Sequence, residues 1–188
     1  MPRLVDIAAP PETVAQACLG DSRARGELYA ALAPATFGLI RRLIGNRAQA
    51  EDLFQDTMLA FFERLTSYRA EAPLGAWLRQ IAVSRCLMHL RSPWHRARLG
   101  LGRFEEEAPA PEGPSPESLD IERALGTLSP VARTVVWLYE VEGYSHEEIA
   151  REFGRSVSFS KSQLARAHGR LRAWFEVNPE KVSCSAIF

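Results

Sequence analysis

Three groups of side chains in this sequence are spaced to do chemistry, and none is arranged to break a covalent bond. The first is an acid-free run between Glu71 and Glu105, with Arg79, Arg85, Arg91, Arg96, Arg98 and Arg103 and with Trp77, His89, Trp94 and His95 interleaved. Guanidinium groups track phosphates while aromatic rings stack on unpaired bases, so this composition suits a single-stranded or distorted nucleic acid. Trp77 has a competing role, because it falls in register with Leu74 and Ile81, and that spacing favours packing over base contact. The second group lies between Glu152 and Glu176 and contains Arg155, Lys161, Arg166, Arg170 and Arg172 without an acid, with Ser158, Ser160, Ser162 and Gln163 near its start. Lys and Arg reach phosphate or guanine and Gln pairs bidentately with adenine, which is the chemistry of a helix start in the major groove. The third group is acidic: Ala50-Glu51-Asp52-Leu53-Phe54-Gln55-Asp56. Such acids repel DNA. They either complement the positive end of a helix, worth roughly 0.3–1 kcal/mol each, or turn toward a protein partner, and periodicity leaves the two tied.

Metal and enzyme chemistry find no support. Cys18, Cys86 and Cys184 are too scattered for a disulfide framework. Cys86 and His89 have the spacing of half a zinc site, with no second close Cys/His pair to complete it. The C-terminal Cys184-Ser185-Ala186-Ile187-Phe188 has one residue too many for a prenylation box. There is no phosphate-binding Gly loop and no nucleophile linked to a base; His146 and His168 are expected on helix surfaces. No enzyme, metal site or cofactor is expected.

The elements that must position these groups are helices. From Ala48 to Leu65, Phe54, Met58, Phe61 and Leu65 recur at helical spacing, widened by Leu53 and Phe62. Pro73 suits the first turn of the next helix, which carries Leu74, Trp77, Leu78 and Ile81 to about Arg91 before Pro93. Upstream, residues 22–33 and 35–44 are expected as two helices broken at Pro34 and ended by Gly45-Asn46. Further on, Ser129-Pro130 caps a helix to about Val141, Gly143 ends it, and Ser145-His146-Glu147-Glu148 reads as a capping box. That helix stops at Gly154, and a Ser-rich turn leads into a last helix with Leu164, Ala167, Leu171 and Trp174 inward, the helix-turn-helix pattern. Between the two parts, residues 103–117 hold four prolines and repeated glutamates, an extended linker. The expected fold is all-α, two small helical domains joined by an acidic Pro-rich linker. The domains are a helical bundle over about 10–100 and a helix-turn-helix over 119–177, with a linker over 101–118 and a tail over 178–188.

The chain has 188 residues, 46% hydrophobic and 24% charged, with 23 basic side chains against 23 acidic ones. That excludes a disordered polyelectrolyte and a membrane protein. No run of 18 apolar residues and no basic-then-apolar leader occurs, so a cytoplasmic location is expected. The neutrality is a cancellation: residues 1–104 hold 14 basic and 9 acidic side chains, 105–120 none and 6, and 121–188 hold 9 and 8. Of the basic residues 21 are Arg, the better fork for phosphates and base edges.

These motifs, in this order, resemble the extracytoplasmic-function (ECF) sigma factors of the sigma-70 family, which pair two helical domains. Gly20-Asp21 through Leu28-Tyr29 is similar to the family's opening helix, and the 50–56 segment to the one that binds the clamp helices of the polymerase β′ subunit. Ala76-Trp77-Leu78-Arg79-Gln80-Ile81-Ala82 through His89-Leu90-Arg91 resembles the helix that reads and melts the promoter −10 element. Leu128-Ser129-Pro130 through Ile149-Ala150, with Lys161-Ser162-Gln163-Leu164-Ala165-Arg166-Ala167, resembles the −35 reader. The resemblance implies polymerase binding by Glu51, Asp52, Gln55 and Asp56, and −10 contacts by Arg69, Glu71, Trp77, Ser84, Arg85, Met88 and Arg91, with Arg69 to Pro73 capturing a flipped base. It implies −35 contacts by Ser158, Lys161, Ser162, Gln163, Arg166 and Arg170. Implied partners are core polymerase (β′ clamp helices and β flap), promoter DNA and an anti-sigma factor. The sequence departs from the family at Ser84 (usually Asn), Met88 (usually Asp), Ser158-Phe159-Ser160 (usually Gly-Thr-Val) and Gln163 (usually Arg), which implies altered base choice. Two rivals to a promoter-directing factor are a decoy that sequesters an anti-sigma factor and a helix-turn-helix regulator acting without polymerase.

Overall fold

The computed structural model describes residues 3–92 and 116–178, all in helices, turns and connecting loops. The chain divides into two compact units, Met1–His89 and Leu90–Phe188. Most of the expected linker and nearly all of the tail lie outside the described residues, as do Trp94, His95, Arg96, Arg98, Arg103 and Cys184.

The first unit contains α1 (Pro11–Cys18), α2 (Ser22–Ile44), α3 (Arg47–Arg64) and all but the last two residues of α4 (Leu74–Arg91), with single 3-10 turns at Leu4–Asp6 and Leu65–Ser67. Caps set the boundaries. Asp21 accepts the amide of Ala24 at 2.7 Å to start α2, Gly45 ends it at φ 78°, and Asn46 accepts the amide of Gln49 at 3.0 Å to start α3. Leu28, Leu32, Ile40 and Leu43 of α2, Phe61 of α3 and Leu74, Leu78 and Leu87 of α4 are each fully or nearly fully buried and form the core of this unit. Burying each such side chain contributes about 1.5–3 kcal/mol.

The expected break at Pro34 does not occur: α2 runs unbroken through it. Pro34 lies on the exposed side, where its missing N–H and ring displace one turn's bonding toward solvent. Buried apolar residues on both flanks, from Leu28 to Ile44, hold the helix together across that lost bond. Thr36, fully buried, uses its hydroxyl to donate to the Leu32 carbonyl at 2.8 Å. Helix α1 is not among the helices expected from sequence, although Pro10-Pro11 followed by Glu12 is its start signal.

The second unit contains α5 (Pro116–Gly126), α6 (Pro130–Val136) continuing into one π turn (Trp137–Val141), α7 (His146–Phe153) and α8 (Val157–Val177). Helix α5 begins at Pro116, inside the segment read as linker; Pro at the first helical position loses no bond that a helix start would make. The punctuation read from sequence is otherwise present. Ser129 accepts the amide of Ala132 at 3.2 Å, and Gly143 turns at φ 73°. Ser145 accepts the amide of Glu148 at 3.1 Å while the Glu148 carboxylate accepts that of Ser145 at 2.8 Å. Gly154 ends α7 in the left-handed region at φ 60°, ψ 41°, which an L side chain enters only under strain. Arg133 is buried and donates to the Leu125 carbonyl at 2.9 Å, closing the end of α5; burial pulls its pKa down to about 10, still protonated at neutral pH.

Candidate protein and nucleic-acid interfaces

In the first unit α3 turns Ala50, Leu53, Thr57, Met58 and Phe61 inward, and the opposite side presents Asp52, Gln55 and Asp56, all exposed. Their i, i+3, i+4 spacing makes one patch. Glu51 is half-buried and accepts from Arg47 Nε at 2.8 Å, so it is an intrahelical ion pair at the edge of the patch. Leu59, 61% exposed, continues the patch one turn on, and Glu63 one turn further; the sequence reading gave neither a role.

Helix α4 buries Leu74, Leu78, Ile81, Cys86 and Leu87 and exposes Gln80, Ser84, Met88 and Arg91, a stripe with the 3.6-residue period; Met88 is 58% exposed and Arg85 half-buried beside it. Trp77 lies at the head of that stripe but is half-buried, its ring centroid 5.7 Å from Phe61 and 5.5 Å from Tyr68. Its larger part is packing, as the periodicity favoured. The loop before α4 exposes Arg69, Ala70, Glu71, Ala72 and Pro73. Ala70 adopts φ 56°, and the Tyr68 hydroxyl donates to the Ala72 carbonyl at 2.5 Å, so the loop is held in a defined shape. His89 is half-buried, and burial holds its pKa below the ordinary value.

In the second unit α8 follows α7 after a tight turn, with Ser156 accepting the amide of Phe159 at 3.3 Å. The outer face carries Ser158, Ser162, Ala165 and Gly169 in one row, flanked by Lys161 on one side and Arg166 on the other, all exposed. Small residues in the middle and cations at the edges let such a helix approach a groove floor while gripping phosphates. Two of the implied −35 residues are placed differently from the rest. Gln163 is 6% exposed, turned toward the buried side with Leu164 and Ala167, and in this conformation it offers no amide to a base edge. Arg170 is exposed, but its guanidinium donates to the Thr127 carbonyl at 3.3 Å and so ties α8 to the loop between α5 and α6. The sequence missed the first point because position 163 sits at the edge of the apolar stripe, where periodicity does not separate inside from outside.

Inside the same unit the Tyr139 and His146 rings stack with centroids 4.5 Å apart, and His146 Nδ1 lies 3.0 Å from the Oγ of Ser160, which is fully buried. His168 Nε2 lies 3.0 Å from a Glu140 carboxylate oxygen. Both histidines fasten the π turn and α7 to α8. Among the described residues no group of three or more His, Cys, Asp or Glu side chains is placed to hold a metal ion, and no helix is long and apolar enough to cross a membrane.

Two helical units, one closing on a helix-turn-helix with a cationic outer face, make an all-α chain with a surface suited to duplex DNA. Residues 28–96 match the family model for sigma-70 region 2, and residues 118–171 match that for sigma-70, region 4. RNA polymerase sigma factor CarQ of Myxococcus xanthus is 30% identical over 152 residues, 78% of this chain and 86% of that protein. ECF RNA polymerase sigma factor SigE of Mycolicibacterium smegmatis is 30% identical over 171 residues, and there this chain spans only 65% of the relative's length. Among solved structures, the sigma factor RpoE in complex with the anti-sigma factor NepR from Bartonella quintana aligns with TM-score 0.54 and 26% identity over 81% of this chain and 96% of that one. CnrH in complex with the cytosolic domain of CnrY aligns with TM-score 0.50 and 27% identity, covering 88% and 96%. The chain belongs to the extracytoplasmic-function group of sigma-70 family RNA polymerase sigma factors.

Proposed function

We propose that the chain is a dissociable promoter-specificity subunit: it docks on core RNA polymerase through α3, takes the −10 strand on α4 and the loop before it, and reads the −35 duplex with the start of α8. The observation that supports this most is the sorting of charge within one small unit. The Asp52, Gln55 and Asp56 patch of α3 contains no cation, while the exposed stripe of α4 holds Ser84, Met88 and Arg91 without an acid. An acidic face does not bind DNA, so it belongs to protein, and the neighbouring apolar and cationic stripe is left for the strand. Ser158, Lys161, Ser162 and Arg166 supply the duplex contacts; affinity comes largely through phosphates and falls with salt, and each base contact discriminates by roughly 1–3 kcal/mol. The protein performs no catalysis of its own and works in the cytoplasm, where the polymerase is. Solved relatives occur as complexes with NepR and CnrY, which supports an anti-sigma partner here as well.

Asp52→Arg is expected to abolish capture of core polymerase in a pull-down while circular dichroism and the melting temperature stay unchanged. Retained capture sinks the assignment of α3. Run-off transcription with core polymerase separates a promoter-directing factor from a decoy, and a gel shift without polymerase tests the stand-alone regulator, which binds duplex by itself.

A further inference from the structure

The 3-10 turn at Leu4–Asp6 and helix α1 both precede residue 28, where the match to sigma-70 region 2 begins, yet both pack inside that domain. Leu4 is 4% exposed, and its turn lies against α2. The backbone beyond it crosses the first turn of α4, where the Gly75 amide donates to the Ile7 carbonyl at 2.8 Å. That amide is one of the first-turn donors with no partner inside a helix. The approach is so close that a Cβ on Gly75 would sit 1.9 Å from the Leu4 carbonyl oxygen and 2.9 Å from that of Ile7. Gly75 is therefore required by the Leu4–Ile7 backbone lying over it. On the other side of the loop, α1 packs against the 3-10 turn Leu65–Ser67.

The same N-terminal stretch thus grips both stems of the exposed loop 68–73: α1 before it, and the Leu4–Ile7 segment after it. We infer that residues 4–18 are a strap that pre-shapes this loop and the head of α4 for the melted −10 strand, with Gly75 as a positioning residue. This rests on the −10 reading of α4 proposed above. The loop holds Ala70 at φ 56° and exposes Arg69 and Glu71; the Tyr68 hydroxyl bond to the Ala72 carbonyl braces it from inside, and the gripped stems fix its two ends. A loop ordered beforehand binds its strand without the ordering cost.

Gly75→Ala tests this cleanly, because Ala favours a helix more than Gly does, so α4 itself gains while the strap is expelled. Leu4→Asp removes the strap's apolar anchor with Gly75 intact. The measurements are hydrogen exchange of the residue 69–72 amides in the full chain, and anisotropy of a labelled non-template −10 oligonucleotide, from a promoter the wild-type holoenzyme opens, bound to holoenzyme. Each variant is expected to speed loop exchange and to weaken strand binding about tenfold. The double variant should be no worse than either single one, and capture of core polymerase should be unchanged. Wild-type loop exchange and strand affinity in Gly75→Ala overturn the inference. If Ser84→Ala and Arg91→Ala also leave strand affinity unchanged, the −10 reading falls as well; if they weaken it while the strap variants do not, only the strap falls.

Discussion

Position 163 shows how single residues divide between reading DNA and holding the fold. Gln163 is buried, so Gln163→Ala is expected to lower the stability of the second unit while leaving −35 base preference as it is. Lys161→Ala and Ser162→Ala are expected to weaken or relax promoter binding without a change in melting temperature. Binding to a randomised −35 library, beside thermal melts, separates the two effects. Cys86 is fully buried in α4, and burial pushes its thiol up to about 12, so almost no thiolate exists at neutral pH. Iodoacetamide at pH 8 should leave Cys86 unmodified in the native protein and alkylate it after denaturation, as read by peptide mass spectrometry. His89 has the opposite problem to a salt-bridged histidine: burial holds its folded pKa below the unfolded value near 6.5. The unfolded chain then binds the proton more readily, so this contribution is present above about pH 6.5 and is lost as pH falls through the folded pKa. His89→Gln, which stays neutral, should flatten the fall in melting temperature between pH 7 and pH 5. These three residues were legible as types in the sequence, but whether each faced water, a base or the core was not.

At the scale of elements, local signals and tertiary packing carried different shares. The capping box at Ser145 and Glu148 and the helix end at Gly154 are short-range devices, decided by a few neighbouring atoms, and they stand where the sequence put them; Asp21 and Asn46 cap α2 and α3 by the same local chemistry. Removing the Ser145 hydroxyl with Ser145→Ala is expected to cost about 1 kcal/mol in chemical denaturation. Pro34 went the other way because its local penalty is outweighed by burial on both sides. Pro34→Ala should therefore stabilise the first unit, by up to about 3 kcal/mol less whatever the surrounding helix has already accommodated. An unchanged or lowered denaturation midpoint would show that the core is built around the proline. The strap was invisible for a related reason: neither Leu4 nor Gly75 carries a signal of its own, and their meaning exists only where residues some seventy positions apart meet.

For the whole molecule, the formal charge of zero is a sum of unlike parts. Residues 105–120 carry 6 acids and no base, enough to cancel the 14 bases and 9 acids of residues 1–104. Those acids repel DNA, so Glu105, Glu106, Glu107, Glu112 and Glu117 changed together to Gln should raise binding to promoter duplex without polymerase, most of all at low salt. A gel shift at low ionic strength with no gain would leave the segment a spacer. By itself the sequence determined the all-helical class, the two-part organisation, the helix-turn-helix and the family, because helical period, Pro and Gly punctuation and charge order are written in contiguous residues. Only the tertiary structure decided that α2 runs through Pro34, that Gln163 belongs to packing, and that Gly75 is a seat for the Leu4–Ile7 segment. Each of those depends on what a side chain or a bare Cα meets from another element, and a one-dimensional pattern does not contain that neighbour.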